Sequence, residues 1–407
     1  MTASAQAPVR ILSVARHHVG FWVIAAAFLI MMAFSTVPTP LYAIYQARDG
    51  FPTFMVTVIF AAYAVGVMLS LYLVGHVSDW LGRRRIILAA ILVNILSALI
   101  FLFWPEVTGL IVARFINGVA IGALTATATA HLAELRAVSH PSEGRGRSGI
   151  ISGVVNVGGL GLGPLVGGAL AQFVSGPLTV PYVIFLILLV IAGVAVVFVP
   201  ETVDRVSAAR PYHPQRVALP AGSGAKFISA GAGVFSAFAI FGLFMSLAPS
   251  FLAGTLHETS RLLAGVVPFA VFGTAALAQV VFARLALRTQ LILSFLLMLV
   301  GLALLATSVL AVSLPAFVIA GVLAGAGVGL QFRASLAVAG SLAAPESRGE
   351  VLAAIFLIAY AGLAVPALLV GLALAFLPST AVLVGFSIVV TVLVILSTPR
   401  MIGARNR

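Results

Sequence analysis

Long runs of apolar residues, separated by short polar segments, fill most of this chain. Each run has about 20 residues or more, the length that an α-helix needs to cross the hydrocarbon core of a bilayer. Because hydrocarbon offers no partner to free backbone groups, such runs predict membrane-spanning helices, and their uniform apolarity argues against a β-barrel. The predicted spans are residues 19–45, 54–75, 86–104, 107–134, 148–173, 179–200, 227–253, 261–283, 290–312, 315–342, 350–376 and 380–398. The pattern therefore predicts an all-α polytopic protein with twelve transmembrane helices.

Composition excludes several other kinds of protein. Of the 407 residues, 62% are hydrophobic and 8% are charged, whereas soluble domains average about 25% charged residues. The chain has no cysteine, so disulfides and thiolate metal sites are excluded, and its seven histidines show no ligand spacing. We therefore expect no cofactor and no metal.

The basic residues mark one side of the membrane. A net charge of +12 could indicate nucleic acid, but eighteen of the 22 basic residues fall in the N-terminal stretch, in alternate segments between spans or after the last span. Topology therefore explains their placement, and no nucleic acid is expected. Those eighteen are Arg10, Arg16, Arg83, Arg84, Arg85, Arg136, Arg145, Arg147, Arg205, Arg210, Arg216, Lys226, Arg284, Arg288, Arg348, Arg400, Arg405 and Arg407. The positive-inside rule then predicts a plasma (bacterial inner) membrane protein with both termini in the cytoplasm.

The longest polar segment divides the chain into two similar halves. Residues 201–226 are predicted to be a cytoplasmic central loop between a six-helix bundle at 1–200 and a second bundle at 227–407. The halves resemble each other at an offset near 205: residues 141–146 parallel residues 345–349, and the glycine and proline of 159–164 parallel those of 362–366. Such repeats predict two bundles related by an axis along the membrane normal, with a cavity between them.

A short polar motif joins the second and third spans. It consists of Gly75, Asp79, Gly82, and then Arg83 and Arg84. Two glycines permit a tight turn against neighbouring helices, and an aspartate there can face a helix N-terminus. The motif resembles the loop signature of the major facilitator superfamily. The resemblance implies the two-bundle fold of that family, a monomer, and a conformational latch made by the acid and its basic neighbours. A basic loop that serves only to fix topology is the alternative.

The fourth span has an arginine among small residues. Arg114, Gly118 and Gly122 resemble the second motif of the same family, and small residues at this spacing let helices approach closely. An arginine inside a span is costly, which makes it a functional candidate. It serves either as a substrate or proton-relay residue or as a structural donor to backbone carbonyls.

Glycines surround a proline in the fifth span. Gly159, Gly163, Pro164, Gly167 and Gly168 resemble the antiporter motif of the family. The proline is expected to kink the helix, and the flanking glycines are expected to let the opposing bundle pack closely. The resemblance to the drug:proton antiporter group implies export. A purely structural glycine face is the alternative.

Acidic residues are expected to be absent from the middle of the membrane. None of the ten lies near the centre of a predicted span, although many proton-coupled drug exporters of this family keep a carboxylate there. The embedded charges are Arg114 and Arg333. Electrostatics therefore disfavours a cationic substrate and favours a neutral amphipath or an anion.

Several other polar residues are candidates for proton transfer or for the cavity. His131 and Glu134 lie one helical turn apart, and a histidine titrates near neutrality, so they could relay protons; alternatively, His131 caps a helix end in the interface. Arg333, with Gln331 nearby, either lines the substrate path or extends to the membrane interface or a partner elsewhere. Tyr42, Asn117, Asn156 and Tyr360 are cavity candidates. Tyr42, which follows two helix-breaking prolines, is alternatively part of an interfacial belt, and the others are alternatively helix–helix hydrogen bonders.

The favoured function is export of small neutral or anionic amphipathic molecules by alternating access, driven by proton antiport. Uptake or facilitated diffusion of an organic anion is the second hypothesis. The chain has no phosphate-binding glycine loop, and Lys226 is its only lysine, so ATP coupling within the chain is not expected. A non-transporting receptor or a membrane enzyme on the same scaffold is a remote alternative, since the embedded acids of an enzyme site are missing.

Overall fold

A computed structural model describes residues 7–74, 77–142, 146–203, 223–343 and 348–402. Within these ranges the regular structure is entirely helical. The helices are α1 (Ala7–Phe34), α2 (Tyr42–Asp49), α3 (Thr53–Val74), α4 (Ser78–Leu81), α5 (Arg83–Phe103), α6 (Val107–Ser139), α7 (Gly146–Phe173), α8 (Val180–Val197), α9 (Gly224–Ser246), α10 (Ala248–Gly254), α11 (Arg261–Val281), α12 (Leu287–Leu310), α13 (Leu314–Leu342), α14 (Arg348–Ala373) and α15 (Ser379–Ile402), with a 3₁₀ turn at Thr39–Leu41.

Within the described ranges, twelve helical segments are long and apolar enough to cross a membrane, which confirms the predicted number of spans. Each overlaps one predicted span, but α1 begins at Ala7, twelve residues before the predicted start at residue 19. Most of the central loop, residues 204–222, lies outside the described ranges.

Two of the spans are broken near the same end. As the prolines predict, α1 stops at Phe34, and the 3₁₀ turn that follows contains Pro40. The seventh span was predicted to be continuous, but α9 ends at Ser246 and a separate helix, α10, begins beside Pro249. Proline lacks the backbone N–H that a continuing helix needs, so both breaks have the same chemical cause.

The two bundles repeat one packing pattern. In the first, α1 packs on α6, α7 and α8, while α6 also packs on α3 and α5; in the second, α9 packs on α13, α14 and α15, while α13 also packs on α11 and α12. The bundles meet where α7 contacts α11 and where α3 contacts α14. The two contacts are equivalent, because α7 has the same place in the first bundle as α14 in the second, and α3 has the same place as α11. The fold therefore consists of two pseudo-symmetric six-helix bundles.

Glycines allow the closest helix approaches in both bundles. A Cβ at Gly118 of α6 would lie 2.1 Å from the Tyr63 carbonyl oxygen of α3, and one at Gly329 of α13 would lie 2.2 Å from the Ala275 carbonyl oxygen of α11. The backbones touch at these points, as the small residues around Arg114 predict. This contact fixes α6, and with it Arg114, against α3.

Candidate functional site: the cavity between the bundles

A cavity lies between the two bundles and is lined mainly by aromatic rings. The lining residues are Thr36, Phe60, Tyr63, Arg114, Asn156, Val157, Leu160, Phe238, Phe241, Met245, Phe272, Phe332, Phe356, Tyr360 and Leu363. The cavity is small: its volume is about 30 Å³, which is room for about two water molecules. Drug-sized ligands fill pockets of about 300 Å³ or more, so a substrate of that size requires the surrounding rings to move.

Ring contacts form the walls of the cavity. Phe241 and Phe272 stack with centroids 3.9 Å apart inside the second bundle. Tyr63 of α3 meets Tyr360 of α14 edge-on at 6.3 Å, across the boundary between the bundles. Phe238 contacts the same Tyr360 ring at 6.2 Å. These edge-to-face contacts are weak individually, which suits walls that can separate.

Arg114 brings a positive charge to the cavity wall. It is 2% exposed, and its Nη1 donates to the backbone oxygen of Ser35, where α1 has ended. The guanidinium carbon also lies 4.4 Å from the centroid of the Tyr63 ring, a favourable cation–π distance. The break in the first span therefore supplies the carbonyl that holds this arginine.

A chain of amides continues from the arginine into the first bundle. Arg114 Nη1 lies 3.5 Å from Asn117 Oδ1, and Asn117 Nδ2 donates to Asn94 Oδ1 at 2.6 Å. Asn117, predicted as a cavity candidate, thus packs between α6 and α5 and is absent from the lining. Asn156 and Tyr360, predicted with it, do line the cavity.

The charge of Arg114 is not balanced by a carboxylate in the cavity wall. No acidic side chain of the described residues lines the cavity, and Arg114 is the one charged residue in that lining. A buried guanidinium attracts electron-rich groups strongly in a medium of low dielectric constant. The arrangement can therefore bind an anionic or hydrogen-bond-accepting group next to apolar rings.

One end of the cavity is closed by contacts between the bundles. We call the membrane side that carries Arg83 the arginine side, and the opposite side the far side. On the far side, Arg261 Nη1 at the start of α11 donates to the Ala171 oxygen of α7 at 3.1 Å, and its backbone N–H donates to Gln172 Oε1 at 3.1 Å. Thr39 Oγ1 also lies 3.0 Å from Met245 Sδ. The cavity is thus sealed toward the far side.

The glycines of the fifth span fit mostly against their own bundle. A Cβ added at Gly159, Gly163 or Gly167 would clash with α1 or with the turn after it. A Cβ added at Gly168 would instead lie 3.0 Å from Gly265 Cα in α11. The motif predicts that the flanking glycines face the other bundle, and among its four glycines Gly168 does so. The helix α7 runs unbroken through Pro164, whose carbonyl oxygen would lie 2.1 Å from a Cβ at Gly265.

Charged residues on the arginine side form a network within the first bundle. Arg83 Nη2 pairs with Glu134 Oε1 at 3.0 Å, and Arg83 Nη1 donates to Ser78 Oγ at 2.7 Å. Arg84 Nη1 donates to the backbone oxygens of Val197 and Val199 at the end of α8. These contacts join α4, α5, α6 and α8 into one unit.

The turn of this motif is shaped around an acid, Glu201, that sequence reasoning did not connect with the motif. Glu201 accepts from the backbone N–H groups of Arg83 and Arg84 at 2.9 and 3.2 Å, at the N-terminus of α5, where a carboxylate is favoured. Gly82 has φ of +101°, and a Cβ there would lie 2.6 Å from Glu201 Oε2. Gly75 and the side chain of Asp79, two further residues of the motif, lie outside what the structure describes.

The predicted relay residues lie on the arginine side and not in the cavity wall. His131 is buried, and its Nε2 lies 3.1 Å from the Pro200 oxygen after α8. Glu134, one turn further along α6, also accepts from Thr202 Oγ1. Both residues therefore contact the segment that follows the sixth span.

Arg333 and Gln331 lie within the second bundle, behind the cavity wall. Arg333 donates to the backbone oxygens of Gln279 and Ala283 at 3.1 and 3.2 Å, at the end of α11. A cation is favourable at a helix C-terminus. Gln331 Oε1 accepts from Ser294 Oγ at 3.1 Å. Neither side chain is part of the lining, although Phe332 between them is.

Sequence reasoning missed the aromatic character of the cavity. Six phenylalanines line it, and two of them, Phe238 and Phe241, lie three residues apart in α9. That helical spacing was readable in the sequence. It is equally common in lipid-facing or core residues, so the signal did not separate cavity from core.

Comparison with known proteins identifies the family. The sequence model described as "Major Facilitator Superfamily" matches residues 23–365, more than half of the chain. The chain belongs to the Major Facilitator Superfamily.

Solved structures of this superfamily have the same fold. The human organic anion transporter MFSD10 (TETRAN) superposes with a TM-score of 0.70 at 18% identity, covering 95% of this chain and 99% of that one. A point mutant of the nucleoside transporter NupG gives a TM-score of 0.71 at 10% identity, covering 94% of this chain and 99% of that one.

Curated relatives match over shorter segments. The major myo-inositol transporter IolT of Bacillus subtilis is 40% identical over 73 residues, 18% of this chain and 15% of the relative. The multidrug resistance protein MdtM of Salmonella typhimurium is 30% identical over 143 residues, 35% of this chain and 33% of the relative. These matches each span a third of the relative's length or less.

Proposed function

We propose that this protein is a secondary transporter that exports small neutral or anionic amphipathic molecules in exchange for protons. The observation that carries the proposal is the cavity wall, where one buried guanidinium lies among aromatic rings. The rings offer an apolar surface to the body of a substrate, and Arg114 offers its charge to a carboxylate or a carbonyl. A cation would meet like charge in a low-dielectric site.

The direction of transport is proposed from the fifth span. The glycine–proline pattern around Pro164 resembles the antiporter motif, and MdtM, one of the relatives, is named as a multidrug resistance protein. Uptake or facilitated diffusion is the second candidate, because IolT and the D-xylose transporter of Levilactobacillus brevis are also relatives.

Alternating access requires the far-side seal to open. In that step Arg261 has to leave the Ala171 carbonyl, and Gly168 has to part from Gly265. We propose that the arginine side then closes around the loop motif, with Gly75, Asp79 and Gly82 next to Arg83 and Arg84 as the latch. Proton coupling is assigned to His131 and Glu134, which both contact the segment after α8, and Glu134 also pairs with Arg83 of this loop.

The proposed setting is the plasma (bacterial inner) membrane, with the arginine side and both termini in the cytoplasm and the protein acting as a monomer. The distribution of the eighteen basic residues supports this orientation. Impermeant labelling of a cysteine placed at Arg85 from outside intact cells would contradict it.

Transport by purified protein in liposomes tests the proposal. An amphipathic aromatic acid is offered under an imposed pH gradient of either sign, and Arg114→Gln is compared with wild type. We expect flux that follows the gradient and falls at least tenfold in the variant, since a hydrogen bond to a charged group contributes about 1.5–3 kcal/mol. Substrate accumulation that does not depend on the pH gradient would contradict proton antiport. Unchanged flux in Arg114→Gln would contradict a role of Arg114 in substrate binding.

A further inference from the structure

A groove between the first and sixth spans is open at the outer surface of the first bundle, on the arginine side. Its volume is about 280 Å³, much larger than that of the central cavity. One wall is a single face of α1, since residues three, four and seven positions apart lie on the same side of a helix. The other wall is the end of α8 and the residues just after it. The lining includes Arg16, Val19, Val23, Ala195, Phe198 and Val199.

The floor of the groove is closed where Gly20 lies against the segment after α8. A Cβ added at Gly20 would lie 3.0 Å from Val199 Cγ1 and 3.2 Å from Pro200 Cδ, so the glycine permits this close packing. The rim, in contrast, is apolar and not covered by protein: Val19 is 60% exposed and Phe198 is 74% exposed. In a membrane-spanning bundle such a surface is covered by lipid, so the groove fits an acyl chain of the leaflet on the arginine side.

Two guanidinium groups lie at the end of the groove nearest the membrane surface. Arg16 lines the groove and is exposed. Arg84 Nη1 donates to the backbone oxygens of Val197 and Val199 at 3.1 Å, which places a second positive charge beside the α8 wall. Neither α1 nor α8 contains an acidic residue. The groove therefore combines an apolar channel with a positively charged entrance.

The acid closest in sequence to the α8 wall, Glu201, makes its hydrogen bonds in another direction. Its carboxylate accepts from the backbone N–H groups of Arg83 and Arg84 at the start of α5, and from the backbone N–H of Thr202. This carboxylate is thus held by a helix N-terminus. It leaves the positive charge of Arg16 available at the entrance of the groove.

We propose that this groove binds an anionic phospholipid, with its phosphate at Arg16 and Arg84 and one acyl chain along α1 toward Val23. Guanidinium groups bind phosphate through charge-assisted hydrogen bonds, and basic pockets between spans suit anionic headgroups. A zwitterionic phospholipid has the same phosphate and chains, but its ammonium group brings a further positive charge close to the two arginines. The site therefore distinguishes lipids by headgroup charge, and it does not depend on the proposed transport function.

Trp22 provides a reporter beside the proposed acyl chain. It is 52% exposed and lies six residues after Arg16, about 9 Å further along the helix. The chain has three tryptophans, so the full-length double variant Trp80→Phe/Trp104→Phe keeps Trp22 alone. This protein is placed in phosphatidylcholine nanodiscs in which brominated phosphatidylglycerol or brominated phosphatidylcholine replaces a rising fraction of the lipid. We expect the brominated phosphatidylglycerol to quench Trp22 fluorescence at a mole fraction about 5- to 25-fold lower.

Two controls separate a defined site from general attraction of anionic lipid to a basic surface. Arg16→Gln is expected to lower the preference for phosphatidylglycerol about fivefold. Arg85→Gln removes the same charge from an exposed arginine next to Arg84 and is expected to keep the wild-type preference. Trp104, which is 43% exposed at the far-side end of α5, is expected to be quenched equally by the two lipids when it is the only tryptophan.

Three results would overturn the inference. Equal quenching of Trp22 by the two brominated lipids would show that the groove does not distinguish headgroup charge. A loss of preference in Arg85→Gln as large as that in Arg16→Gln would show that the surface charge as a whole attracts the lipid. The same preference at Trp104 as at Trp22 would show that the anionic lipid is enriched all around the protein.

Discussion

The far-side seal depends on the close approach of α7 and α11 at Gly265. A Cβ added to this glycine would lie 2.1 Å from the Pro164 carbonyl oxygen, whereas unstrained contacts begin at about 3.5 Å. In Gly265→Ala the two helices must therefore separate by about 1.4 Å at this point. Since backbone and not a flexible side chain is in the way, neither helix can relax by rotating a side chain.

The steric clash in Gly265→Ala raises the free energy only of the conformation in which the far side is closed. Overpacking of this kind costs about 1–3 kcal/mol, which shifts the equilibrium between closed and open far sides about 5- to 150-fold toward the open form. The prediction is thus a change in conformational population, with the fold of each bundle retained.

The shift can be read from a single reporter cysteine, because the chain has none of its own. Thr39 is 2% exposed on the far side and contacts Met245 of the other bundle. We expect the cysteine of Thr39→Cys to react with a maleimide about 5- to 150-fold faster in the Gly265→Ala background. Gly273→Ala on the same helix is the matched control, since its Cβ would meet nothing closer than Phe269 at 4.0 Å. Equal maleimide reaction rates of Thr39→Cys in the Gly265→Ala and Gly273→Ala backgrounds would refute the proposed seal.

Three further predictions concern other contacts. Gly82→Ala should lower the melting temperature more than Gly50→Ala does: both positions have positive φ, costing about 1–2 kcal/mol for an L-residue, but an added Cβ displaces Glu201 only at Gly82. Arg83→Gln should lower the melting temperature more than Arg85→Gln does, because Arg83 pairs with Glu134 whereas Arg85 is exposed. The expected difference in the free energy of unfolding is about 1 kcal/mol. Equal melting temperatures of the two variants would show that the ion pair contributes nothing to stability. Arg333→Gln should lower the melting temperature, because it removes two hydrogen bonds to the end of α11. Competition assays should find the substrate preference of this variant unchanged. A changed preference would show that Arg333 lies in the substrate path.

Hydropathy alone predicts the architecture of this protein well. Span number follows from hydropathy because the bilayer imposes one length and one kind of secondary structure on every crossing. The break after Phe34 was also readable, since two prolines follow it. The matching break in the seventh span was not, because Pro249 lies close to the expected end of the span.

The site was predicted only in part. Arg114, Asn156 and Tyr360 reach the cavity, but Arg333 and Gln331 do not, although all lie in spans. A helix has several faces, and hydropathy does not say which of them meets the other bundle. For the same reason the sequence could not show that Glu201, far along the chain from Arg83, closes the loop at the N-terminus of α5.

The central claim is that one guanidinium among aromatic rings selects the charge of the substrate. Transport of three isosteric compounds, an aromatic carboxylate, its amide and its ammonium analogue, by the protein in liposomes tests it most directly. We predict that the carboxylate and the amide are transported, and that the ammonium compound has a kcat/KM at least about tenfold lower, equivalent to a charge repulsion of about 1.4 kcal/mol. An ammonium analogue transported as well as the carboxylate would contradict the account.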